Sequence, residues 1–301
     1  LAVLLLSLLV LVLFTTDVLA SRGDKLPEFK ACVETCIETE CLLPNTLPLH
    51  LRLLLWTCPS NCDYICQRTI TQSRLHSGQS IEQFHGKWPF QRLLGLQEPF
   101  SVLFSLLNGY AHLRGLCQLR RELPPSHPMT RYYILFSYVG LGTWTCSALF
   151  HARDTVLTER LDYFGAGANV LYGLYYAPVR VLRLWRPRFR RGVRAWGWTC
   201  IAAYAAHVYY LQFVRWDYTY NMAANVVVGA AMNVLWTYFS VTQYSRHKRF
   251  WAAWPGLIVT WLIMAMSLEL LDFPPVADAI DAHALWHAAT IIPAMWWYRF
   301  L

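Results

Sequence analysis

The sequence predicts an all-α membrane protein, a seven-transmembrane helix bundle with an N-terminal lumenal disulfide-rich segment. Three observations support this fold class. Of the 301 residues, 56% are hydrophobic and only 15% are charged, whereas soluble domains contain about 25% charged residues. The apolar residues form blocks close to the ~20 residues that a helix needs to span a bilayer. Six of the nine cysteines lie in one polar segment, residues 21–95.

The N-terminal apolar run, residues 1–20, ends in Val18-Leu19-Ala20. An apolar stretch followed by small residues is typical of a secretory signal peptide, and an uncleaved anchor helix is the alternative. The signal peptide is favoured because a polar, cysteine-rich segment follows directly. We therefore predict a signal peptide at 1–20, a lumenal Cys-rich domain at 21–98 and a transmembrane domain at 99–301.

The six cysteines of the polar segment predict three disulfides, because a segment behind a signal peptide enters an oxidising lumen. They form two groups with helical i, i+4 spacing, and prolines lie between the groups. An antiparallel helical hairpin would pair them in nested order: Cys32–Cys66, Cys36–Cys62 and Cys41–Cys58. A zinc site is the competing interpretation, but the segment lacks C-x2-C spacing.

Apolar blocks after residue 98 predict seven helices, and Trp and Tyr crowd their ends as in the interfacial belts of membrane proteins. The predicted helices span residues 99–117, 131–151, 160–182, 194–213, 218–240, 250–271 and 283–300.

The loops between these helices differ in charge. Those after the first, third and fifth helices are basic, with the densest arginine run at 183–194. The loop after the sixth carries Asp272, Asp278 and Asp281 without Lys or Arg. The positive-inside rule places the basic loops in the cytoplasm and residues 21–95 in the lumen. The arginine run is then a topology determinant in contact with anionic lipid, and no nucleic-acid partner is predicted.

Polar residues gather at the lumenal level of this topology. His283 and His287 begin the seventh helix and share one of its faces. The second helix ends in His151, one turn beyond Ser147, and the third begins near Asp162. Three imidazoles with one open position are the ligand set of a catalytic zinc site. A nearby carboxylate can accept a proton from water, and a hydroxyl can polarise a carbonyl.

Structural explanations also exist for these residues. His151 could cap its helix, Asp162 could cap the third helix, and Ser147 could bond to a carbonyl of its own helix. A Ser-His-Asp triad of Ser147, His151 and Asp162 is a rival chemistry, but it leaves His283 and His287 without a role. These residues agree in their depth in the membrane, in their chemical type and in their number with what a metal site needs, and this agreement favours the metal site.

Other polar residues have simpler interpretations. Asn108 and His112 on the first helix are predicted to form interhelical hydrogen bonds. Glu98 is interpreted as part of a helix start before Pro99, and Glu269 could contact the histidine site. Three further cysteines, Cys117, Cys146 and Cys200, are predicted to be free thiols.

The spacing Ser147-x3-His151, then Asp162, then His283-x3-His287 on a seventh helix resembles the signature of the CREST superfamily of membrane hydrolases. Within that superfamily the chain is most similar to the Per1-like, post-GPI-attachment-to-proteins family. This closer resemblance comes from the signal peptide, the lumenal six-cysteine segment and the run HGKWPFQRLLGLQEP at residues 85–99.

The resemblance implies a GPI-anchor phospholipase A2 that removes the sn-2 acyl chain from the phosphatidylinositol of GPI-anchored proteins. Zinc would be bound by His151, His283 and His287, Asp162 would activate water by general base catalysis, and Ser147 would assist at the carbonyl. The substrate would be a membrane lipid in the endoplasmic reticulum membrane, with the Golgi membrane as the alternative. A ceramidase-type amidase and a non-catalytic seven-helix receptor or metal-handling protein remain open as other functions.

Overall fold

The computed structural model describes residues 21–42 and 47–301, and within them the chain forms ten α-helices and no β-strand. The signal peptide predicted at 1–20 lies outside the described residues. The helices, numbered in chain order, are α1 (Pro27–Glu40), α2 (Leu49–Leu53), α3 (Cys58–His76), α4 (Pro99–Glu122), α5 (Thr130–Ala152), α6 (Val156–Val181), α7 (Arg190–Tyr209), α8 (Tyr218–His247), α9 (Trp254–Leu271) and α10 (Ala282–Phe300).

The cysteine-rich segment is organised by a disulfide-linked pair of helices, α1 and α3. Its three disulfides have the predicted nested order, Cys32–Cys66, Cys36–Cys62 and Cys41–Cys58, with Cα–Cα distances of 5.7–5.8 Å. Nested pairing requires antiparallel helices, and i, i+4 spacing brings successive cysteines onto one face of each helix. Disulfide sulfurs offer no thiolate, so the zinc interpretation of these cysteines is not supported.

The helices α4 to α10 correspond in order to the seven predicted helices. Three helix starts differ from the predicted position by four residues, those of α7 at Arg190, α9 at Trp254 and α6 at Val156. The predicted start of α6 was residue 160. Thr155 forms a capping box with Thr158 at this end, which satisfies free backbone N–H groups of the first turn. Asp162 therefore lies inside the helix, and the interpretation of Asp162 as its cap is wrong.

Two of these helices, α5 and α8, are long and apolar enough to cross a bilayer by length and composition. A shorter apolar helix covers Trp254–Glu269. Helix α4 has a lower hydropathy than α5 and α8, because it carries buried polar side chains that include Ser105, Asn108 and His112. The number of seven spans stays a prediction.

Six of the seven long helices pack in a closed ring. Its order is α4, α5, α6, α8, α9 and α10, with α10 returning to α4, and α7 packs against α6. At one end of the ring, buried aromatic residues from α5, α6, α8 and α10 form the main core. There the Trp297 indole donates a hydrogen bond of 2.8 Å to the Tyr176 hydroxyl. This core fixes the helices at the end opposite to His151 and His283.

The cysteine-rich segment docks on the other end of the ring through polar contacts. Arg68 of α3 bonds to Asp278, which lies between α9 and α10, at 2.5 Å. The Trp56 ring lies between the guanidinium groups of Arg92 and Arg153, at 4.3 and 4.1 Å. The Trp88 indole donates to Asp272 at 2.8 Å. The cysteine-rich domain and the acidic loop after the sixth helix therefore lie on the same side, as the charge pattern predicts.

We expect non-reducing peptide mapping of the purified chain to recover the three nested disulfide pairs. Cys117, Cys146 and Cys200 are free, so a thiol reagent should modify these three alone after denaturation without reductant. A crossed pair, or a disulfide that includes Cys117, Cys146 or Cys200, would contradict the α1–α3 hairpin.

Candidate metal centre

Three histidines meet where α5 ends and α10 begins. His283 Nε2 lies 2.9 Å from His287 Nε2 and 3.4 Å from His151 Nε2. His151 and His287 are each only 2% exposed. The structure thus brings together the three residues that were predicted from the sequence to be metal ligands. Helix α10 packs against α4 and α9, and α4 lies between α10 and α5.

The second ring nitrogen of each histidine contacts an oxygen from another helix or loop. The three contacts are His151 Nδ1 to Glu98 Oε2 at 2.7 Å, His283 Nδ1 to Glu269 Oε2 at 2.6 Å, and His287 Nδ1 to Ser105 Oγ at 3.1 Å. An ionised carboxylate only accepts hydrogen bonds, so Glu98 and Glu269 place the proton of their histidines on Nδ1.

Ser105 imposes the same tautomer on His287. Its hydroxyl donates to the Ser101 carbonyl at 2.7 Å, which uses its one proton. Ser105 Oγ therefore accepts from His287 Nδ1 and from the Ser147 hydroxyl, which lies 3.0 Å away. All three imidazoles then present a bare Nε2 lone pair to one shared point. Partners of this kind at the second nitrogen are the rule for zinc-bound histidines.

The spacing of the three nitrogens fits a zinc ion. Zinc–nitrogen bonds of about 2.0–2.1 Å in a tetrahedral site separate the ligand nitrogens by about 3.3 Å. The two distances of 2.9 and 3.4 Å bracket that value. Without a cation, unpaired lone pairs would face one another in a buried site, which is unfavourable. The donor set therefore suits a metal with three protein ligands.

The carboxylate partner of His151 is buried and charged. Glu98 is 4% exposed, and Lys87 Nζ lies 2.7 Å from its Oε1. Burial alone would raise the pKa of Glu98, but Lys87 and His151 outweigh burial and hold it well below its usual value. Lys87 also pairs with Asp154 at 3.0 Å. Glu98 therefore stays ionised and acts as a hydrogen-bond acceptor throughout the physiological pH range.

The two predicted catalytic residues lie close to the histidines in different ways. Ser147 is 3% exposed and reaches His287 only through Ser105. Its hydroxyl bonds to Ser105 and not to a carbonyl of its own helix, which was the alternative interpretation. Asp162 lies close enough to His151 and His283 to interact with them electrostatically. In the described part of the chain, no side chain donates a hydrogen bond to Asp162. Its carboxylate is therefore available to another donor.

Sequence reasoning missed two histidine partners. Glu98 is the N-cap residue of α4, but its side chain makes no capping bond and contacts His151 instead. No local sequence pattern marks Ser105 as a partner of a histidine. Glu269, predicted only as a possible neighbour of the site, bonds directly to His283. The predicted interhelical role of Asn108 is confirmed by its bond of 2.8 Å to the His287 carbonyl.

His112 was likewise predicted to form an interhelical hydrogen bond, and this is confirmed by its contact of 2.7 Å with the Tyr298 hydroxyl. Together with Asn108, it holds α10 in register against α4. The position of His287 on α10 is therefore fixed by polar bonds at its own carbonyl and at Tyr298 further along the helix.

Replacing Glu98 by Gln should lower zinc affinity by about 10-fold or more, because the charge that orients His151 is lost. Chelator competition with the purified protein measures this affinity. The matched control is Glu159→Gln, since Glu159 is a nearby carboxylate whose contact is Trp216. Equal zinc affinity of the Glu98 and Glu159 variants would contradict the proposed support of His151.

Comparison with known proteins identifies the family of the chain. The model of the Per1-like family matches residues 48–301. The chain is 44% identical to the protein PER1 homolog of Schizosaccharomyces pombe, over 94% of this chain and 86% of that protein. It is 43% identical to the GPI-specific phospholipase A2-like PGAP3 of Danio rerio, over 94% of this chain and 90% of that protein. The corresponding human protein is 38% identical over 93% and 88%. No solved structure matches the chain significantly. The chain belongs to the Per1-like family.

Proposed function

We propose that this protein hydrolyses the lipid of GPI anchors and removes the sn-2 acyl chain from the phosphatidylinositol of GPI-anchored proteins. The observation that carries the proposal is the convergence of three histidine Nε2 atoms, each with its Nδ1 held by an oxygen acceptor. Hydrolysis of an ester requires activation of its carbonyl and of a water molecule. The substrate is inferred from the relatives that are named GPI-specific phospholipase A2-like PGAP3.

Zinc is the proposed metal, with His151, His283 and His287 as its ligands. When bound there, it would supply Lewis-acid chemistry that polarises the ester carbonyl and makes water acidic enough to ionise near pH 7. Glu98, Glu269 and Ser105 keep the ligand nitrogens deprotonated by retaining each histidine proton on Nδ1. This role requires that their hydrogen bonds persist throughout the reaction.

Asp162 is the proposed general base. Its carboxylate lacks a side-chain donor in the described part of the chain, so it can accept a proton from the attacking water and return it to the leaving glycerol oxygen. Ser147 is the proposed donor to the ester carbonyl oxygen. Its hydroxyl must turn away from Ser105 to do so, which a simple rotation about the Cα–Cβ bond allows.

The proposed topology places this chemistry at the depth of the ester. We propose seven membrane spans behind a cleaved signal peptide, with the cysteine-rich domain and the histidines on the lumenal side of the endoplasmic reticulum or Golgi membrane. His151 and His283 lie at the ends of α5 and α10. Lipid ester groups lie at this boundary between headgroups and acyl chains, so the substrate reaches the site without leaving the bilayer.

The test compares two variants in cells that lack the endogenous protein, with GPI lipids analysed by mass spectrometry. His287→Ala should lose both zinc and acyl-chain removal. Asp162→Asn should retain zinc but lose about 10²-fold or more in rate, as expected for a missing general base. His207→Ala changes a histidine outside the group of His151, His283 and His287, and it should retain both zinc and acyl-chain removal.

Unchanged anchor lipids with wild-type protein would contradict the proposed substrate. Cleavage of ceramide in place of the anchor would identify the site as an amidase. Full activity of the His287→Ala variant would exclude His287 from the catalytic site.

A further inference from the structure

Five leucines of the lumenal domain are exposed on two adjacent segments before α4. We name them the leucine rim. Their exposed fractions are between 60% and 79%: Leu49, Leu53, Leu55, Leu93 and Leu94. The first three lie on α2 and the turn after it, and the other two lie on the tight turn that precedes α4. Clustered exposed apolar residues usually mark an interaction surface.

The two segments of the leucine rim form one unit. The backbone of Gly95 lies against the side chains of Leu51 on α2 and of Leu54 just after it, so closely that a Cβ at this position would lie 2.9 Å from Leu54 Cδ1. The Trp56 indole also donates a hydrogen bond of 2.9 Å to the Gly95 carbonyl. These contacts of Gly95 therefore hold the two leucine segments beside one another.

Two members of the rim occupy an unfavourable backbone conformation. Leu55 has φ +59° and Leu94 has φ +54°. Bulky L-residues rarely adopt positive φ, and Gly or Asn usually occupies such positions. Neither leucine gains compensating burial, since they are 70% and 79% exposed. Such strain without local compensation is characteristic of residues kept for function.

The leucine rim adjoins the end of a helix that is apolar and long enough to cross a bilayer. The Gln97 amide bonds to the Ala152 carbonyl at 3.0 Å, and the Glu98 amide bonds to the His151 carbonyl at 3.0 Å. The turn that carries Leu93 and Leu94 is thereby joined to the last turn of α5. Leu149 of α5 is 52% exposed near this end, so the apolar surface of the helix continues toward the rim.

The charges around the rim also suit a lipid surface. Helix α2 has the sequence Leu-His-Leu-Arg-Leu, and its His50 and Arg52 are exposed. Short helices that combine exposed apolar side chains with basic ones lie in the membrane interface, where the basic groups meet lipid phosphates. No acidic residue interrupts residues 49–56.

We propose that the leucine rim inserts into the bilayer on the lumenal side, with the acyl chains and phosphates of phospholipids as its partner. The rim would anchor the lumenal domain at the membrane surface beside the histidine site. Arg153, which stacks on Trp56, and Glu98, which bonds to His151, connect this anchor to the metal centre. The proposal concerns lipid contact and is independent of the hydrolytic activity.

The test places a photo-crosslinking amino acid, benzoylphenylalanine, at position 53 or 94 of the full chain. The protein is reconstituted in nanodiscs of phosphatidylcholine and phosphatidylinositol, irradiated and analysed by mass spectrometry. We expect phospholipid adducts at both positions. The matched control is position 35, since Thr35 is exposed on α1 and is not part of the rim, and we expect at least 10-fold fewer lipid adducts there.

Lipid adducts at positions 53 and 94 that do not exceed those at position 35 would overturn the proposal. Crosslinks of these positions to a second copy of the chain would also overturn it, because they would identify the rim as a protein interface. Each probe replaces an exposed side chain, so it should not disturb folding. Persistence of the three disulfides checks that each variant is folded.

Discussion

The arrangement of the long helices depends on one constraint, the shared orientation of three imidazoles, two of them buried and the third, that of His283, half-buried. Their Nε2 atoms can converge only if every Nδ1 proton has an acceptor. Glu98 precedes α4, Ser105 lies on α4 and Glu269 lies on α9, so these elements must surround α5 and α10 at a fixed depth. The aromatic core at the opposite end of the ring and the bonds of Asn108 and His112 set this register. A metal site of this kind is a property of the whole bundle.

The disulfide-linked helices α1 and α3 are coupled to this constraint through the segment that leads into α4. Lys87 bonds to Glu98, which bonds to His151, and Lys87 also bonds to Asp154 after α5. The disulfides hold α1 and α3 rigid, and Arg68 ties α3 to the loop before α10. These contacts thus support the histidines of α5 and α10 from the side of the cysteine-rich segment. This coupling gives a physical reason for the charged and aromatic residues in the run 85–99.

Much of this architecture followed from local patterns. Helical cysteine spacing predicted the disulfide order, apolar blocks predicted the long helices, and the depth of His151, His283 and His287 predicted that they would meet. The start of α6 was misplaced because the capping box of Thr155 and Thr158 was not recognised. Ser105 was missed because it lies 182 positions from His287 in the sequence. Such contacts depend on helix packing, which no local pattern encodes.

X-ray absorption spectroscopy at the zinc edge of the purified protein tests the central claim most directly. We expect one zinc per chain with three imidazole nitrogens and an additional oxygen at about 2.0–2.1 Å, and no sulfur neighbour. Loss of one imidazole contribution in the His151→Ala variant would identify the ligand. A zinc environment containing sulfur, or a protein that binds no zinc at all, would contradict it.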